Sequence, residues 1–234
     1  MKQIQQLVLL CFVFFSADGN AQKNEIPKKR NVAIFLYEGV EVLDFSGPAE
    51  VFAASSVKTK EGQWTSPFNV YTVAHGSGLI TSQGFLKIMP NYTIENCPTP
   101  DIIVLPGGAT SKSRKNPEVI DWIRNSSERT EIFLSVCTGA FLLGDAGLLK
   151  NRKATTWYGS IERLKETFTD TEVLQNVRFV DSGKIVTTAG VSAGIDGALH
   201  IVERLISRGA ALETAKYMEY DKWHPNAGYV VGEE

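Results

Sequence analysis

Ile132-Phe133-Leu134-Ser135-Val136-Cys137-Thr138-Gly139-Ala140-Phe141-Leu142-Leu143 is the stretch that decides the fold. Residues 132–136 form an apolar run of strand length. Strands buried on both faces look like this, and they belong to parallel sheets. An apolar helix follows to residue 143 with no loop between. A strand that turns directly into a helix presents the turn residue at the end of the sheet, the geometry of a nucleophile elbow. That residue is Cys137. A helix N-terminus also favours negative charge, so the position is expected to favour the thiolate, the reactive form of a thiol. A free Cys is equally often just a small buried hydrophobe.

The same alternation continues on either side. Val32-Ala33-Ile34-Phe35-Leu36-Tyr37 and Asp101-Ile102-Ile103-Val104-Leu105 read as buried strands, and residues 68–74 as a third. Residues 48–57, 117–126, 192–207 and 209–220 read as helices, with Pro117 in a first turn where its missing N–H does no harm. Residues 79–89, broken by Gly84, and residues 177–188 around Asp181-Ser182-Gly183 read as hairpins. Strands alternating with helices predict an α/β fold with a doubly wound, mostly parallel sheet and right-handed crossovers. No linker or repeat interrupts residues 31–220, so one domain is expected there. Residues 22–30 read as a linker before it and residues 221–234 as a tail after it.

Residues 1–21 are a separate signal. Lys2 precedes an apolar run at residues 7–15, and Gly19-Asn20-Ala21 follows. The run is too short to span a bilayer, and the pattern is that of a cleavable signal peptide. Export is therefore expected, with no membrane attachment after cleavage. The chain of 234 residues has 24 Lys plus Arg against 26 Asp plus Glu, a formal net charge of −2. Such a balance gives no electrostatic ground for nucleic-acid binding. Three Cys exclude a disulfide scaffold, and the leader removes Cys11. Cys97 and Cys137 remain, and no disulfide is expected between them.

In open α/β sheets ligands bind beyond the carboxyl ends of the strands. Three strand ends carry candidates. Gly107 and Gly108, after Pro106, permit close backbone approach, and their N–H groups with that of Thr138 can line an oxyanion hole. Asp44 lies in the loop after the first strand. It reads either as a helix N-cap or as an acid whose pKa burial and a nearby thiolate would raise. Glu41 competes for that second role. His75, His200 and His224 fall at no motif, and no cluster has metal-ligand spacing, so neither a metal nor another cofactor is expected.

Four blocks in order resemble the ThiJ/PfpI superfamily: Val40-Glu41-Val42-Leu43-Asp44-Phe45-Ser46-Gly47-Pro48, Leu105-Pro106-Gly107-Gly108, Ser135-Val136-Cys137-Thr138-Gly139-Ala140-Phe141 and Thr188-Ala189-Gly190-Val191-Ser192-Ala193-Gly194-Ile195-Asp196. The resemblance covers residues 31–220. It implies a flavodoxin-like sheet related to class I glutamine amidotransferases. Within the superfamily the chain is similar to isonitrile hydratases and to the sensor-like N-terminal domain of AraC-type regulators. The hydratase likeness implies that Asp44, Cys137 and Thr138 act on a small-molecule substrate, with backbone N–H groups of Gly108 and Thr138 beside them. It implies hydration of an isonitrile to an N-substituted formamide. Homodimers are common in the superfamily, and one is expected here.

The chain also departs from its relatives. Protease-like members carry a His directly after the Cys, where this chain has Thr138, which argues against peptidase activity. Many relatives carry a His after an Ala-Thr-Thr stretch, whereas Ala154-Thr155-Thr156 is followed here by Trp157. About 14 residues follow Tyr220, shorter than the DNA-binding part of the regulators, so no nucleic-acid partner is expected. An amidase, a glyoxalase-like enzyme using the same Cys, and a ligand-binding or redox-sensing protein without turnover remain alternatives.

Overall fold

The structure, a computed structural model, describes residues 29–232. The predicted signal peptide and most of the predicted linker lie outside the described residues. At the centre is β1 (Arg30–Leu36), whose residues Val32 to Leu36 are fully buried, as a strand covered on both faces requires. Helix α1 (Val42–Ala54) leads to β2 (Phe68–Ala74), which pairs parallel to β1 on one side and is flanked by the short β3 (Tyr92–Thr93). The chain then crosses back. β4 (Ile102–Leu105) pairs parallel to β1 on its other side, α2 (Pro117–Ser126) follows, and β5 (Ile132–Ser135) pairs parallel to β4. The turn Cys137–Gly139 and α3 (Ala140–Asp145) come directly after β5.

The antiparallel hairpin β6 (Phe179–Asp181) and β7 (Ile185–Thr188) extends the sheet, with β7 parallel to β5. Helices α4 (Ala193–Leu205) and α5 (Arg208–Tyr217) pack against α1, and β8 (Tyr229–Val230) closes the edge beside β6. The eight strands run β8-β6-β7-β5-β4-β1-β2-β3. A separate antiparallel pair, Ile80–Ser82 with Leu86–Ile88, is the hairpin expected around Gly84.

Winding reverses between β1 and β4. With right-handed crossovers, that reversal puts the two sets of helices on opposite faces and opens a crevice at the carboxyl ends of β1, β4 and β5. The doubly wound, mostly parallel α/β sheet in one domain is as the alternation predicts.

The first helix is not. The expected start at Pro48 is six residues late. The helix begins at Val42, and Pro48 lies inside it. Pro48 has no N–H to offer the Asp44 carbonyl, so a proline that reads as a helix start sits within the second turn instead. Asp44 is thus a helical residue of the first turn, not a loop residue or an N-cap. Glu41 holds the N-cap position, and its side chain makes no capping bond. Gly47 lets α1 approach α4, since a Cβ there would lie 3.0 Å from Ile195 Cγ1. Asp44, on the same helix, is fully buried.

Candidate active site

Cys137 has φ +56°, in the left-handed region that L-residues with a Cβ avoid. The strand ahead and the helix behind hold it there: the Cys137 N–H donates to the Ala189 carbonyl at 3.0 Å, and Thr156 Oγ1 donates to the Cys137 carbonyl at 2.7 Å. Two residues on, position 139 must be glycine, because a Cβ on Gly139 would lie 1.9 Å from the Leu105 carbonyl oxygen. The elbow read from the sequence is therefore formed at the end of β5. Cys137 as a residue is 8% exposed, at the floor of the crevice.

Asp44 faces this thiol from α1. The Gly107 N–H donates to Asp44 Oδ2 at 2.9 Å. Asp44 Oδ1 is buried with no hydrogen-bond partner of normal geometry among the described residues, although the Val191 N–H and the Cys137 thiol lie near enough to favour the charged carboxyl. Gly107 is the hinge of the arrangement. A Cβ there would come within 2.8 Å of both Asp44 Oδ2 and Cys137 Cβ, and 2.7 Å from the Thr138 nitrogen.

The electrostatics follow from burial. Loss of water raises Asp44 to about 7, helped by the negative charge of Glu41 and opposed by the Gly107 N–H. This matches the expectation of an acid protonated near neutral pH. Cys137 departs from expectation. Burial, then the charge of Asp44, push its thiol up to about 12, against the N–H and hydroxyl of Thr138, which favour the thiolate. A three-residue turn at a short helix offers too little positive potential to offset a buried carboxylate. Above about pH 7 the pair therefore holds a single proton between sulfur and carboxyl.

The structure gives two of the expected oxyanion donors other work. The Gly107 N–H is held by Asp44, and the Gly108 N–H donates to Thr138 Oγ1 at 3.1 Å. They are bound inside the protein because β4 ends against α1 and the elbow with no gap between them. Of the three, only the Thr138 N–H is turned to the sulfur. Glu41 is half-buried and accepts from Gln83 Nε2 at 2.6 Å, so Asp44 is the carboxyl at the thiol and Glu41 a neighbour that raises its pKa.

The histidines are elsewhere. His75 pairs with Glu118 on the surface, His200 bonds Asp181 at 2.7 Å at the opposite end of the sheet, and His224 is exposed. Cys97 and Cys137 are both free thiols. Among the described residues no group of three or more His, Cys, Asp or Glu is arranged to hold a metal ion, and no helix is long and apolar enough to cross a membrane.

Three contributors escape sequence reasoning. Tyr37, buried at the end of β1, donates its hydroxyl to the Pro106 carbonyl at 2.9 Å and fixes the β4 terminus. Thr156 braces the elbow. Val191 has φ +52° and presents its N–H to Asp44. Only Ala154-Thr155-Thr156 carried a signal, and it pointed to the following position rather than to Thr156. A β-branched residue at positive φ has no sequence signature.

Fold, elbow and site define a class, and comparison with known proteins agrees. The sequence pattern of the DJ-1/PfpI family matches residues 30–204, and the chain belongs to that family. It is 30% identical over 190 residues to an isonitrile hydratase of Pseudomonas putida, covering 81% of this chain and 78% of that protein. It is 23% identical over 152 residues to an HTH-type transcriptional regulator of Pseudomonas aeruginosa, covering 65% of this chain but 45% of the regulator. The crystal structure of a ThiJ/PfpI family protein from Pseudomonas syringae superposes with a TM-score of 0.74 at 29% identity, covering 90% of this chain and 84% of that one.

Proposed function

We propose that the protein is an exported, Cys137-dependent enzyme that adds water to the terminal carbon of a small isonitrile, R–N≡C, giving R–NH–CHO. It works as a homodimer on a small molecule, with no nucleic-acid partner and no membrane attachment after loss of its leader. The observation that carries the chemistry is the strained Cys137 elbow facing a buried carboxyl with one unpartnered oxygen. Likeness to the Pseudomonas putida hydratase supports the substrate class.

The resting thiol needs a base, since burial pushes it up to about 12. Asp44, raised to about 7, is ionised often enough near neutrality to take the S–H proton and is then an acid strong enough to return it. The thiolate attacks the terminal carbon, forming the S–C bond, while Asp44 protonates that carbon. The product is a thioimidate, R–N=CH–S–Cys137. Asp44, now a carboxylate, accepts a proton from water as its oxygen adds to the same carbon. The nitrogen takes that proton, the C–S bond breaks, and the departing sulfur recovers the remaining hydroxyl proton as the formamide leaves. The Thr138 N–H and hydroxyl stabilise sulfur when it carries charge.

A redox-sensing role is less well supported. Oxidation follows thiolate character and exposure, and Cys137 is buried with a raised pKa. The test is a panel of isonitriles, amides and aldehydes, with formamide followed directly. Turnover of isonitriles that disappears in Cys137→Ala supports the proposal, and turnover of amides or aldehydes alone overturns it.

A further inference from the structure

We propose that Trp157 is a positioning residue for the Asp44–Cys137 pair, holding Val191 in the left-handed conformation that turns its N–H toward the Asp44 carboxyl. The inference rests on the pair as the reacting groups, and not on which substrate they act upon.

The indole is wedged between two glycines. A Cβ built on Gly190 would lie 2.4 Å from Trp157 Cδ1, and one built on Gly159 would lie 2.6 Å from Trp157 Cζ3. Both positions therefore lack a side chain where the ring lies, and the ring sits directly on the Gly190 backbone. Gly190 immediately precedes Val191, whose φ of +52° is costly for a β-branched residue and persists only where the surroundings over-determine it. On its other side Val191 is held by the start of α4: the Ala193 N–H donates to the Gly190 carbonyl and the Gly194 N–H to the Val191 carbonyl, each at 3.2 Å. With the indole on one side and the helix start on the other, the peptide between Gly190 and Val191 is held against flipping, and its N–H stays near the carboxyl.

The stretch that carries Trp157 is itself tied to the elbow. Thr156 Oγ1 donates to the Cys137 carbonyl at 2.7 Å, and the Thr155 N–H donates to Thr187 Oγ1 at 2.8 Å. One segment thus braces both members of the pair, the Cys137 backbone through Thr156 and the carboxyl through Trp157 and Val191. Three ionisable groups bear on Asp44: Glu41 from the N-cap of its helix, Tyr37 from just after β1 and Cys137 from the elbow. The loop before α4 brings the Val191 N–H, which favours the carboxylate. If the indole is removed and the peptide relaxes, that donor is lost and the carboxyl becomes a weaker acid.

The experiment is the pH dependence of Cys137 alkylation by iodoacetamide, read by peptide mass so that Cys97 does not contribute. It needs no substrate. The rate rises as Asp44 ionises and accepts the S–H proton. In Trp157→Ala the inflection is expected to move to higher pH by about half a unit or more, while Trp157→Phe, which keeps a ring on Gly190, restores the wild-type profile. Gly190→Ala, which displaces the ring without removing it, is expected to move the inflection the same way and decides the matter if Trp157→Ala does not fold. An unmoved inflection in folded Trp157→Ala, or in Gly190→Ala where that variant decides, overturns the proposal. A moved inflection in a protein that hydrates no isonitrile upholds the positioning role while the proposed reaction falls.

Discussion

The Gly107 N–H donates to Asp44 Oδ2 at 2.9 Å, and this bond fixes which carboxyl oxygen is left over. Oδ1 is buried and makes no hydrogen bond of normal geometry, with the Cys137 thiol and the Val191 N–H near the carboxyl, so it is the oxygen free to carry and release a proton. Replacing the carboxyl by an amide keeps an acceptor for Gly107 and removes the proton. Asp44→Asn is therefore expected to lower turnover by at least about a hundredfold, measured as formamide release. Unchanged turnover would move the acid role to Glu41 or to water.

The same substitution has an opposite effect on stability. The carboxyl is raised from 3.8 to about 7 by burial, so it stabilises the fold only while protonated. That contribution is complete below about pH 4 and is lost as pH rises through 7. Up to roughly 4 kcal/mol is involved at alkaline pH, shared with the neighbouring thiol. Asp44→Asn should melt several degrees higher than wild type at pH 8 and show no gain at pH 4, as thermal unfolding at the two pH values will reveal.

Gly107→Ala tests the packing of the site. A methyl there meets Asp44, Cys137 and the Thr138 backbone together. Turnover is expected to fall about a hundredfold, because displacement of reacting groups by about an ångström costs that much. Circular dichroism should still report a folded sheet.

Asp181 separates stability from chemistry. It is buried at the far end of the sheet, where His200 Nε2 donates to it at 2.7 Å and Arg204 Nη1 reaches both its oxygens. Burial raises its pKa, but these partners and the Gly183 N–H outweigh burial and hold it below the ordinary carboxylate value. Its stabilisation is thus present at neutral pH and lost as pH falls. Asp181→Ala, which leaves the largely buried His200 without its acceptor, is expected to cost about 1–3 kcal/mol in urea unfolding at pH 7. Turnover per folded molecule should not change.

Most of the fold was legible because buried strands announce themselves. Residues 68–74 and 117–126 fall where the pattern puts them, and the Gly84 and Asp181-Ser182-Gly183 hairpins form as their turn residues demand. The first helix starts earlier than its sequence suggests, because Pro48 mimics a helix start while sitting inside one. Cys137 and Asp44 were legible as candidates. The direction of the thiol's pKa was not, because it depends on how deeply α1 buries Asp44 beside it. Nor was the fate of the Gly107 and Gly108 N–H groups, which a three-dimensional contact decides.

The proposed reaction turns on a covalent bond between Cys137 and the substrate carbon. Its most direct test is intact-mass and peptide analysis of protein quenched during turnover of an isonitrile. The expected result is an added mass of one isonitrile on the Cys137 peptide, absent from Cys137→Ala along with formamide production. Formamide formed at an undiminished rate by Cys137→Ala would contradict it.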